Sequence, residues 1–114
     1  MATVRILYWK EIPVQIETQD VIEKVSTPLD PKFQEAVDAI AMFDNSYGTD
    51  EYLDAWEWSN SYELKGSAKE TLKTVATKYN TQFPADLVKL IRDAQKAGTR
   101  KTEPGAIDHW MKNQ

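Results

Sequence analysis

The chain contains no cysteine. Disulfides, thiolate nucleophiles, iron–sulfur ligation and all cysteine-based zinc sites therefore lie outside its chemistry. It has a single histidine, His109, beside Trp110 near the C-terminal end. The side chain that most often moves protons near neutral pH is thus almost missing, and His109 reads as a surface residue. Glycine is scarce too, with Gly48, Gly66, Gly98 and Gly105 standing far apart. A phosphate-cradling loop needs glycines grouped so that backbone N–H groups can approach the phosphates, so none is expected. No apolar run approaches the roughly 18 to 20 residues of a membrane-spanning helix. Residues 1–7 hold one arginine and a short apolar run, not the apolar region of a signal peptide, so a cytoplasmic protein is expected.

Basic residues are nearly absent from the middle of the chain. Between Asp30 and Glu63, Lys32 alone faces a series of acids that includes Glu35, Asp38, Asp44, Glu51, Asp54 and Glu57. The balance reverses from Lys89 to Lys101, where Arg92, Lys96 and Arg100 oppose only Asp93. One short basic end on a chain of net charge −4 is a poor footprint for nucleic acid, so no nucleic-acid partner and no membrane partner are expected. The two blocks are most simply solvated helix faces, or they could complement a partner or each other in a homodimer.

What is present is the composition of an ordinary folded domain. In 114 residues, 41% are hydrophobic and 28% charged, which is enough apolar surface for a core without staples. The opening run from Thr3 to Trp9 is rich in β-formers, and Val14 to Thr18 alternates apolar with polar residues. Two strands joined by Lys10 to Pro13 follow from this. Pro13 cannot donate to a ladder, which puts the Trp9–Pro13 corner at an edge facing solvent. Residues 20–29 read as a connection, with one helical turn around Val21 to Val25.

A helix is predicted from Asp30, an N-cap followed by Pro31 at the first helical position, with Phe33, Ala36, Val37, Ile40 and Ala41 as its buried stripe. Gly48 can take the left-handed conformation that ends it. Thr49 should cap a short helix to about Glu57, and Trp58 to Leu64 should form a third strand. Ser67 and Glu70 make a capping box for a helix to about Asn80. Pro84 opens a last helix that Gly98 stops. The expectation is an α+β fold in which a small, partly antiparallel sheet of about three strands is covered by three to four helices. Residues 1–98 form the single domain, and Thr99 to Gln114 form a mobile tail.

Two constellations invite chemical readings. Asp44 to Asp50 has the acids and glycine of a calcium loop, but with Gly48 in the sixth position the first and fifth fall on Phe43 and Tyr47. A helix-linking turn is the better reading, and no metal or cofactor is expected. Four tryptophans make up the second, and tryptophan serves both cores and interfaces. Trp56 reads as core, whereas Trp9 at the solvent-facing corner is balanced between core and contact.

The block Leu7-Tyr8-Trp9-Lys10-Glu11-Ile12-Pro13-Val14-Gln15, a helix starting near Phe33, and Gly48-Thr49-Asp50 followed by Tyr52-Leu53 and Trp56 together resemble the small bacterial virulence factor domain, which also occurs within conserved virulence factor C. The resemblance spans about Thr3 to Asn80 and implies no particular reaction. In larger relatives the domain looks like one part of a multidomain protein with an iron–sulfur-scaffold-like module, a role this cysteine-free chain cannot take. Stand-alone members encoded near one-carbon methyl-transfer genes imply a partner enzyme.

The expected function is a non-catalytic cytoplasmic interaction module that binds a larger protein through Tyr8, Trp9, Lys10, Glu11 and Pro13. The alternative is an auxiliary protein that stacks a small molecule or cofactor, such as a folate or corrinoid, on Trp56, Trp58 and Tyr62. An enzyme using carboxylates alone ranks third, since no paired spacing marks a site.

Overall fold

Val4, Ile6 and Tyr8 alternate with Thr3, Arg5 and Leu7, and this alternation becomes the central strand in the computed structural model, which describes residues 1–111. That strand, β1 (Ala2–Trp9), pairs antiparallel with β2 (Ile12–Gln19) through the turn at Lys10 and Glu11. The register slips between Leu7 and Tyr8, leaving Val14 as the extra residue of a bulge. Pro13 sits beside it, where its missing N–H does least harm, and the Val14 carbonyl accepts instead from Leu29 N–H at 2.8 Å.

The remaining strands enlarge the sheet beyond the three expected. Residues 24–28, read as part of a connection, form β3 (Lys24–Pro28) antiparallel to β2. No helical turn forms at Val21. Asp20 reverses the chain, because its carboxylate accepts from the N–H groups of Ile22 and Glu23, each at 2.8 Å. The expected third strand divides into β4 (Trp56–Trp58) and β5 (Tyr62–Leu64), which pair with opposite ends of β1. Between them Ser59 replaces a ladder rung: its N–H donates to Ile6 O at 2.8 Å and its Oγ accepts from Ile6 N–H at 3.0 Å. The result is an antiparallel five-stranded sheet in the order β3-β2-β1-β4, with β5 also on β1.

The helices follow local signals closely. α1 (Pro31–Phe43) begins where Asp30 accepts from Lys32 N–H, and buries Phe33, Ala36, Val37, Ile40 and Ala41 as its spacing requires. Asn45, not Gly48, takes the left-handed conformation just past its end, although Gly48 is left-handed as well. α2 (Asp50–Asp54) is shorter than expected because Trp56 joins the sheet, and Thr49 Oγ1 donates to Ser46 O without capping the helix. α3 (Ala68–Gln82) has the complete capping box of Ser67 and Glu70. α4 (Leu87–Ala97) starts after Pro84 and ends at left-handed Gly98.

α3 lies across β1, β2 and β3, and α1 packs on β2 and against α4. Asn80 joins α3 to the start of α1, since its side-chain oxygen accepts from Asp30 N–H and its carbonyl accepts from Lys32 Nζ. Phe33, Phe83 and Tyr79 continue this seam as ring contacts. No helix among the described residues is long and apolar enough to cross a membrane.

Candidate functional site

Alternation along β1 stops at its end. Tyr8 and Trp9 are both buried, because the tip of the β1–β2 hairpin is wrapped from two sides. Trp9 faces α2, where its indole N–H donates to Tyr52 O at 2.9 Å and its ring lies 5.6 Å from the Tyr52 ring. Tyr8 faces α3 and the C-terminal segment. The expectation of a solvent-facing corner is thereby corrected: Tyr8, Trp9, Glu11 and Pro13 are all fully buried, and the Lys10 side chain is nearly so.

What closes over the corner is the segment expected to be a mobile tail. Residues 99–111 run back across the hairpin tip as a strap and end in a short 3-10 turn, Asp108–Trp110. Its last part, residues 112–114, lies outside the described residues. Arg100 anchors one end of the strap. Its Nε donates to Glu11 Oε2 at 2.7 Å, a terminal nitrogen donates to Glu11 Oε1 at 3.0 Å, and the other reaches Asp44 Oδ2 at 3.1 Å. Lys10 completes the cluster, contacting Asp44 at 2.8 Å and Glu51 at 2.7 Å. These bonds hold Lys10 in a left-handed backbone conformation at φ 52°, one that side-chain-bearing residues rarely adopt.

Arg100 and Glu11 meet at fork geometry, and Asp44 accepts single bonds from Lys10 and Arg100. Burial alone would raise the Asp44 carboxyl, but hydrogen bonds from Lys10, Ser46 and Arg100 hold it below its ordinary value. Burial would likewise lower the Arg100 guanidinium, and its bonds to Glu11 and Asp44 raise it instead. One member of the acidic block and one of the basic block thus meet inside a single chain.

A second anchor lies near the end of the strap. Asp108 Oδ2 accepts from Tyr8 OH at 2.6 Å and Tyr79 OH at 3.0 Å, while its Oδ1 is buried without a hydrogen-bond partner. Burial raises the Asp108 carboxyl above its usual range against the pull of both tyrosine bonds. The same burial, with the Asp108 charge nearby, pushes both phenols upward, so they stay protonated donors. Ile107 between the anchors is buried in the core.

Between the strap and α4 opens a cleft of about 430 Å³, floored by the Glu11–Arg100 pair and walled by Ile91, Ala94, Ile107 and Trp110. His109 lines its exposed rim, as a surface histidine should.

The aromatics expected to stack a ligand do not line one cleft. Trp56 packs edge-on against Tyr52 with centroids 6.4 Å apart. Trp58 pairs with Leu7 on the sheet face turned away from Val4 and Ile6, where the Arg5 guanidinium covers it at 4.0 Å. Tyr62 pairs with Val4 and so projects to the opposite face.

One surface feature escaped sequence reasoning. At the far end of β2 from the corner, Val21 and Ile22 form the apex of the β2–β3 turn and are 101% and 86% exposed. Asp20 fixes that turn to the body through Ala68 N–H, which donates to its carboxylate at 2.8 Å. Three backbone N–H bonds hold the Asp20 carboxyl below its ordinary value. The signal was available locally: an Asp three residues before Glu23, just after the alternating run of β2, is an Asx turn that needs no glycine.

The family model described as "Virulence factor" matches residues 7–91. The chain belongs to the virulence factor family. The match runs from Leu7 in β1 into α4, past the Asn80 limit read from the sequence, and leaves the strap outside it. Arg100 and Asp108, which lock the Tyr8–Glu11 corner of this virulence factor family member in place, therefore lie beyond the matched residues. Comparison with curated proteins and with solved structures found no significant match.

Proposed function

We propose that this virulence factor family member is a non-catalytic cytoplasmic interaction module, and that it engages a larger protein through the Val21–Ile22 turn and not through the Trp9 corner. The observation that carries the reading is the exposure of two adjacent β-branched side chains on a rigid turn. Asp20 supplies the acceptor for the turn's hydrogen bonds, so the side chains of Val21 and Ile22 contribute nothing to its closure, and leaving both in water gives no folding benefit. A fixed pair of aliphatic side chains is suited to an apolar groove, because little conformational freedom is lost on binding. The buried ionisable groups support a non-catalytic role, since Glu11, Asp44 and Arg100 are engaged with one another in holding the strap.

The test is affinity purification from the source cells with the full chain and with Val21→Asp plus Ile22→Asp. The fully exposed positions leave the melting temperature unchanged. A partner held by the parent chain and lost by the double variant supports the reading. Recovery of the same proteins with both chains overturns it, as does recovery of none.

A further inference from the structure

The cleft between α4 and the strap has a polarity that the interaction reading does not use. Ile91, Ala94, Ala106 and Ile107 give it aliphatic walls, which the Trp110 indole and Thr99 complete. Among its lining residues Glu11 is the sole carboxylate, and both Glu11 oxygens are taken by Arg100. The floor thus offers no free charge to a cation. At the mouth stand Lys101 and His109, both exposed, and among the described residues no carboxylate forms an ion pair with either of them. The neighbouring Asp108 is turned inward to Tyr8 and Tyr79. An apolar slot with a neutralised floor and nitrogen donors at its mouth is complementary to an apolar ring carrying an anionic group.

We infer that this cleft is a binding site for a small aromatic carboxylate, its ring against Ile91, Ala94 and Trp110 and its carboxylate between Lys101 and His109. A cleft of about 430 Å³ is within the size range of small-molecule sites. The site lies apart from the Val21–Ile22 turn, so either reading can fail without the other.

Phenylacetate is the probe, and phenethylamine, with the same ring and opposite charge, is its control. Titration of the ¹⁵N-labelled full chain by NMR should give saturable shifts at Thr99, Lys101, Ala106 and His109 and at the Trp110 indole. Phenethylamine should bind at least about fivefold more weakly, and Lys101→Glu should weaken phenylacetate by a similar factor, as expected for one exposed charge contact. Lys101 is exposed, so its replacement leaves the fold intact, which the rest of the spectrum verifies. No saturation by roughly 20 mM phenylacetate, weaker than any useful millimolar site, overturns the inference. Equal binding of the two probes, or binding indifferent to Lys101→Glu, overturns it as well.

Discussion

Arg100 grips Glu11 through two parallel hydrogen bonds of 2.7 and 3.0 Å, across 89 residues of chain. Glu11 is fully buried, and the fork is what makes a carboxylate tolerable there. Arg100→Ala leaves that charge without its partner and should cost about 3 to 5 kcal/mol in urea unfolding. Replacing both partners, with Glu11→Leu and Arg100→Met, should recover much of the loss. A double variant as unstable as the single one would show that the unpaired Glu11 charge is not what destabilises Arg100→Ala.

Asp44 ties the same cluster to acid stability. Its folded carboxyl lies below the ordinary value of 3.8, with burial opposing and the bonds from Lys10, Ser46 and Arg100 prevailing. A lowered carboxyl favours the fold at pH above the unfolded value, and its contribution is lost as pH falls through the folded one. Asp44→Asn should therefore cost about 1 to 3 kcal/mol at pH 7, and the cost should shrink as pH falls below 3.8 and through the folded value, measured by chemical denaturation at a series of pH values.

Asp108 has the opposite sign. Burial raises its folded carboxyl above 3.8, so its contribution is fully present below that value and declines as pH rises through the folded one. Asp108→Asn cannot ionise and keeps an oxygen to accept from Tyr8 and Tyr79. The stability of the variant relative to the parent should improve between pH 4 and pH 7. A difference that stays constant over this interval would mean that ionisation of Asp108 does not oppose the fold.

Trp9 fills the core and donates its indole N–H to Tyr52 O. Trp9→Ala should destabilise the protein by about 3 to 5 kcal/mol, as large core truncations do, and should do so in the purified chain without any partner present. Unchanged thermal unfolding would return Trp9 to the role of a contact residue.

Local rules account for much of the architecture. Asp30 with Pro31, the Ser67–Glu70 box and Gly98 set helix ends through bonds or dihedral angles within a few residues, so they could be read from neighbours alone. The apolar stripe of α1 and the alternation of β1 are equally local. β3 was missed because Lys24 to Pro28 is a short edge strand with little apolar alternation, paired only with β2. The division of β4 from β5 depended on Ser59 reaching Ile6, a bond across 53 residues.

By itself the sequence determined the α+β class, the starts of α1 and α3, the end of α4, the buried stripe of α1 and the family, because each depends on residues close together along the chain. Tertiary structure alone decided which face of the Tyr-Trp-Lys-Glu corner meets water. Its polar residues look solvent-exposed to any local rule, yet Arg100 and Asp108, 89 residues from Glu11 and 100 from Tyr8, supply the charge and the hydrogen-bond acceptor that make burial affordable. No local pattern announces a partner at that distance, so the strap and the cleft beneath it became visible only once the chain was folded.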